Sequence, residues 1–204
     1  ETQAWIGTWN AKTSQVISID DSGKGTLSAQ EQTFTFTVSA SATDPYVVVI
    51  DGLSVLGEEN PTIGYVKENT LAIMTNLSIG TDANGIQYMW LPYVSLDGQL
   101  AGLNNFGGEV PAHILTMAED GTVTAETGKF EAKYEDGTAV DVEVVSSEVY
   151  GVDGNGKLYF FIESFPAVYR AGAMEVTKAA APTAKILNNK EVVKYPMSLS
   201  SVVL

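Results

Sequence analysis

Five Asp-Gly and two Asn-Gly dipeptides break this chain into short runs of alternating or β-branched residues. The clearest are Asp97-Gly98, Asp120-Gly121, Asp136-Gly137, Asp153-Gly154 and Asn84-Gly85. Asn-Gly and Asp-Gly tolerate the positive φ angles that two-residue hairpin turns require. A chain punctuated in this way folds as an all-β, antiparallel meander. Its two architectures are an up-and-down barrel and a two-sheet sandwich, with little helix in either.

Strand candidates follow one another steadily. Trp5–Ala11, Gln15–Asp20, Thr33–Ala40 and Tyr46–Ile50 fill the first quarter. Phe34, Phe36 and Val38 alternate with threonines, which marks a half-buried strand. Tyr46–Ile50 is apolar on both faces and reads as central. Thr70–Thr75 comes next, then Ile86–Ser95 with Tyr88, Trp90 and Tyr93. Pro92 weakens the end of that run, or places it at an edge or bulge. The second half reads His113–Ala118, Thr122–Thr127, Lys129–Tyr134, Thr138–Ser147, Lys157–Glu163 and Val168–Thr177. The best helix candidate is short, Pro182 to Asn189.

Two regions read as irregular. Gly52–Tyr65 contains Gly57-Glu58-Glu59-Asn60-Pro61 and is expected to be a loop. Leu100–Pro111 contains Asn104-Asn105-Phe106-Gly107-Gly108 and is either a domain boundary or a long capping loop. No internal repeat relates the halves, so residues 1–178 are taken as one domain. Residues 179–204 then form a C-terminal extension, with Ser201-Val202-Val203-Leu204 adding a last strand to a sheet edge.

The formal net charge is −14. That disfavours nucleic acid, whose binding needs a basic surface, and an anionic membrane surface. The four lysines between Lys178 and Leu204 make the tail basic against an acidic body. Such a tail docks on the body or reaches an acidic partner, and docking is preferred. No apolar run approaches the ~20 residues of a membrane-spanning helix. The absence of Cys removes disulfides, thiolate metal sites and Cys nucleophiles. The chain opens at Glu1 without a signal peptide, as expected of a processed protein. Asn76-Leu77-Ser78 matches a glycosylation sequon.

Little in the chain suggests catalysis, a cofactor or a metal. His113 is the only imidazole, and no Gly-x-Ser-x-Gly elbow accompanies it. It is read as a structural or surface histidine. Asp153-Gly154-Asn155-Gly156-Lys157 begins like a calcium loop but lacks the later Gly and Glu, so it reads as a turn. Glu58, Glu59, Glu109 and Glu163 are candidates for a glycosidase carboxylate pair. Tyr88, Trp90 and Tyr93 form the richest aromatic cluster. Exposed, they would stack on a sugar ring or line an apolar pocket; buried, they are core.

The opening Trp5-Ile6-Gly7-Thr8-Trp9 resembles the Gly-x-Trp start of lipocalin-like (calycin) barrels. In that family the Trp closes one barrel end and packs against an Arg or Lys on or just after the last strand. The resemblance implies a cation–π contact between Trp9 and Arg170, the only Arg in the chain. The wider texture is similar to secreted or lipid-anchored β proteins of gut Bacteroidetes. It rests on Gly7-Thr8-Trp9, on Tyr46-Val47-Val48-Val49-Ile50-Asp51-Gly52-Leu53 and on Asn69-Thr70-Leu71-Ala72-Ile73. It implies an extracytoplasmic, secreted or lipid-anchored protein at the cell surface.

The expected function is therefore non-catalytic binding of a glycan or small amphipathic ligand through Tyr88, Trp90 and Tyr93. The alternatives are a structural or adhesive surface module that binds another protein, and a carbohydrate-active hydrolase. A ligand cavity favours the first, a filled interior the second, and two carboxylates in a cleft the third.

Overall fold

A computed structural model describes residues 2–57, 59–162 and 166–180. The expected helix at 182–189, the final strand at 201–204 and the carboxylates Glu58 and Glu163 lie outside the described residues. The basic tail beyond 180 does so too.

Eight antiparallel strands close a barrel, and a second sheet lies beside it. Strands β1 (Gly7–Ile19), β2 (Gly25–Ala40), β3 (Val47–Asp51), β4 (Thr62–Lys67) and β5 (Thr70–Thr75) pair in succession. The chain then leaves the barrel for β6 (Leu77–Thr81), β7 (Gln87–Leu96) and β8 (Gln99–Leu103). It returns as β9 (Val110–Met117) and β10 (Val123–Thr127), and leaves again for β11 (Lys129–Lys133), β12 (Ala139–Val152) and β13 (Leu158–Tyr159). Finally β14 (Ala167–Lys178) closes the barrel on β1. The two excursions pair with each other through β7 and β12, which gives the second sheet the order β11-β12-β7-β6. Strands β8 and β13 add short pairings to β7 and β12.

Most turns are built differently from the two-residue hairpins expected. Only Asp97-Gly98, between β7 and β8, places both residues at positive φ. Elsewhere a five-residue closure recurs. Between β9 and β10, Gly121 N–H donates to Ala118 O and Ala118 N–H donates to Thr122 O. The same pair of bonds recurs at Asp20, Asp82, Tyr134 and Asp153, with a left-handed glycine three positions on. This is the three-residue loop that ends on a glycine bulge. At Asp153 the left-handed residue is Gly156, so the supposed calcium loop is a hairpin turn.

Trp5–Ala11 and Gln15–Asp20, expected as two strands, are one strand with a bulge between Thr13 and Gln15. The bulge faces Gly172, at φ +78, where a Cβ would meet the Gln15 side chain at 2.7 Å. It separates two cores. Trp9 and Ala11 of β1, with Met174 and Val176 of β14, join Phe36, Ile50, Leu71 and Leu115 inside the barrel. Beyond the bulge, Ile17, Ile19, Tyr169 and Ala171 pack on Leu91, Tyr93 and Tyr150 of the second sheet. The far halves of β1, β2 and β14 thus extend past the barrel and carry that sheet. Tyr93 sews the join, its hydroxyl accepting from Gly25 N–H at 2.7 Å.

Three expected irregularities are strands or strand interiors. β4 begins inside Gly52–Tyr65 and runs on to Lys67, and β8 covers the start of Leu100–Pro111 as far as Leu103. The strand through Pro92 does not weaken there but runs on to Leu96 in the middle of the sheet. Pro92 falls where β7 passes from pairing with β6 to pairing with β8, so its missing N–H leaves both ladders intact.

Each excursion leaves the barrel through a specialised residue. Asn76, at φ 60, is buried, and its amide donates to Gly108 O and Asn105 Oδ1. That engagement removes it as a glycosylation acceptor in the folded chain. At the other crossing, Gly128 N–H donates to Ala112 O in the barrel while its carbonyl accepts from Val144 N–H in the second sheet.

Candidate functional site

The two ends of the barrel are closed by different means. At the first, the short 3-10 turn Thr2–Ala4 brings Trp5 over the interior. Trp5 and Trp9 are each 1% exposed, and Trp9 Nε1 donates to Trp5 O at 2.8 Å. Trp9 stacks on Phe36 with the rings 12° apart. The cation over Trp9 is Lys178, 5.3 Å from the ring centroid, with its Nζ also donating to Ala4 O. Lys178 is the register partner of Trp9 on β14. The expected Trp9–Arg170 stack is therefore corrected. Arg170 lies on the far side of the bulge, 3.8 Å from the centroid of the Phe34 ring, and donates to Leu53 O.

The second end meets the other sheet. Residues from the barrel (Thr13, Thr62, His113) and from the sheet (Trp90, Ser147) line one small closed space together with Arg170. Its volume is about 30 Å³ as seen by the centre of a water-sized sphere, enough for one or two waters. Trp5, Trp9, Phe36, Ile50, Leu71, Leu115 and Met174 pack together in the rest of the barrel interior. Thr13 is 2% exposed, and its hydroxyl has no hydrogen-bond partner; neither has Nδ1 of His113. The His113 residue is half-buried as a whole, but Nδ1 itself is shut off from solvent. Burial pulls its pKa down to about 4, so the imidazole is neutral at physiological pH.

Beside this space a buried carboxylate anchors a loop. Glu148 of β12 is 2% exposed. Its Oε1 accepts from Ser54 Oγ at 2.5 Å and from Val149 N–H at 2.8 Å, and its Oε2 accepts from Val55 N–H at 2.9 Å. Arg170 holds the Leu53 carbonyl of the same loop. Burial raises the Glu148 pKa above its ordinary value, and its hydrogen bonds and Arg170 oppose that rise. Burial also pushes both neighbouring phenols, Tyr150 and Tyr169, upward. Both oxygens of Glu148 are engaged and hidden, which suits an anchor and not a general acid. Glu109 accepts from Tyr65 at the surface, and Glu59 lines a shallow groove with Tyr88.

The three aromatic residues singled out from the sequence do not assemble into one face. Trp90 is 2% exposed, and its Nε1 donates to Pro61 O at 3.0 Å. Tyr93, at 3%, is in the core between the sheets. Tyr88 alone is half-buried, stacked on Phe161 at 5.0 Å above Gly151. Strand alternation turns Tyr93 to the face opposite Tyr88 and Trp90, and of those two only Trp90 is covered, beneath Pro61, while Tyr88 lies at a surface groove.

A different concavity has the character of a ligand site. Met89 and Leu91 of β7, Leu103 of β8, Val152 of β12 and Leu158 of β13 line a cleft of about 260 Å³, with Asn104 and Asn105 also lining it. Its floor continues into the core between the sheets. Its only local trace is faint, the alternation Met89-x-Leu91-x-Tyr93. The other wall comes from segments more than ten and sixty residues away. Among the described residues no group of three or more His, Cys, Asp and Glu is placed to hold a metal ion. Comparison of the chain with known protein families, characterised proteins and solved structures found no match.

Proposed function

We propose that the protein is a non-catalytic binding module whose small amphipathic ligand docks in the outer cleft of the second sheet, not inside the barrel. The observation that carries this reading is the cleft itself. It is the apolar concavity left open between the sheets while the barrel holds only water-sized space. Five apolar side chains offer a floor for an acyl chain or ring, and the asparagines offer amides to a polar head. The engagement of Trp90 and Tyr93 in packing weighs against a sugar-stacking platform. An extracytoplasmic location remains part of the proposal, and it rests on the sequence resemblance. The calycin resemblance is supported by the Trp5–Trp9–Lys178 closure and by the meander order of the barrel strands.

Leu158 is 36% exposed and can change without emptying the core. Titration with dodecanoate and with an anilinonaphthalene sulfonate is expected to show saturable binding. Leu158→Asp should weaken that binding by about tenfold, the order set by losing one apolar contact and placing a like charge beside the head group. Equal binding by the folded variant and the parent would remove the cleft from consideration.

A second reading, a surface module that pairs with another protein, has one observation in its favour. The outer edge of β6 has no strand beside it among the described residues. Such an edge accepts an added strand.

A further inference from the structure

We propose that the closed space where the barrel meets the second sheet binds a small monovalent inorganic anion, of chloride or bromide size. Its ligands are the Arg170 guanidinium, the Thr13 hydroxyl and the His113 imidazole.

The first support is the pair of buried polar atoms without partners, Thr13 Oγ1 and His113 Nδ1, on residues that line the same space. Buried polar groups in native proteins are nearly always paired, and an unpaired one carries its full desolvation cost. Something small and polar is therefore expected between them.

The second support is the sign of the lining. Among mainly apolar neighbours its free polar groups are the Arg170 guanidinium, the His113 imidazole and the Thr13 hydroxyl, and no carboxylate lines it; the Trp90 indole and the Thr62 hydroxyl already donate to Pro61 O and Met74 O. Arg170 has five N–H donors, of which one goes to Leu53 O. Glu148 feels the Arg170 charge but does not line the space, and its own oxygens are held by Ser54, Val55 and Val149. A concentration of donors of this kind is unusual in a chain of net charge −14. Burial works against the charge of Arg170, and an anion beside it offsets that cost, while the neutral His113 ring can carry its proton on Nδ1 and donate it. Size completes the selection. A space of about 30 Å³ for the centre of a water-sized sphere suits a monatomic anion.

The direct test is a crystal structure from bromide-containing solution, read at the bromine absorption edge. An anomalous peak in contact with Arg170 and Thr13 is the expected result. Water density alone, or bromide at surface positions only, overturns the proposal. In solution, thermal unfolding is compared in bromide and in gluconate at equal ionic strength. Bromide at tenfold its dissociation constant should raise Tm by roughly 3–6 °C. Thr13→Val keeps the shape and removes the hydroxyl. It should raise Tm in gluconate, because an orphaned polar group is gone, and should shrink the bromide shift. A bromide shift of undiminished size in Thr13→Val also overturns the assignment.

Discussion

Gly128→Ala is expected to abolish stable folding, with a loss above ~4 kcal/mol, at the extreme of what single substitutions do. The cause is space and not backbone conformation, since Gly128 does not have a positive φ. A Cβ there would lie 1.8 Å from Pro111 O and 2.5 Å from its carbonyl carbon, and backbone cannot swing aside as a side-chain tip can. Gly128 also bonds the barrel with its N–H and the second sheet with its carbonyl, so any shift breaks a bond on one side. Gly154 is the control. It has no positive φ and nothing within 4 Å of an added Cβ. Gly154→Ala should stay within ~1 kcal/mol of the parent, on the stabilising side if anything. Urea titrations of both variants, followed by circular dichroism, make the comparison. Matching midpoints would refute the close-approach argument.

Glu148→Ala should cost about 3–5 kcal/mol, the range for removing one partner of a buried charged network. It leaves the buried Ser54 Oγ and the part-buried Val55 N–H without their acceptor, and Arg170 without its compensating charge. Loosening should be greatest in the loop after β3, which hydrogen exchange at Val55 would report. Glu148→Gln separates shape from charge. The folded-state pKa of Glu148 is raised, chiefly by burial. A carboxyl that holds its proton more tightly when folded contributes most below its ordinary value of 4.5. That contribution is lost as pH rises through the raised folded-state value. The parent should therefore lose stability over that rise relative to Glu148→Gln. Parallel pH profiles for the two proteins would show that Glu148 is not the group responsible.

Local chemistry made the strand content legible. The turn dipeptides located most hairpins, and the alternation of Phe34, Phe36 and Val38 identified the inner face of β2. β4, β6 and β8 were not anticipated because each carries a glycine and runs for only five or six residues. The pairing of β7 with β12 joins segments some fifty residues apart, and no local pattern encodes that partnership. Without it, Trp90 and Tyr93 read as a candidate surface, although the barrel end covers Trp90 and the far halves of β1, β2 and β14 cover Tyr93. The same limit applied to the barrel closure. Arg170 drew attention as the sole arginine, but the registry that sets Lys178 opposite Trp9 depends on where the bulge falls. The small space beside Arg170 is lined from eight strands, which had to be placed before any residue could be seen to line it.

The pairing of β1 with β14 also governs when this protein can form. During synthesis the first strand emerges early and its final neighbour emerges more than 140 residues later. At ~5–20 residues per second, β1 waits several seconds or more with one edge unsatisfied. The second sheet is delayed as well, because β7 must wait for β12. Neither ladder is available to a truncated nascent chain. Folding thus waits for the last strand to emerge, with closure of long loops as its slow step. In that interval the open edge of β1, carrying Trp9, Val16, Ile17 and Ile19, is the segment most in need of a holding chaperone.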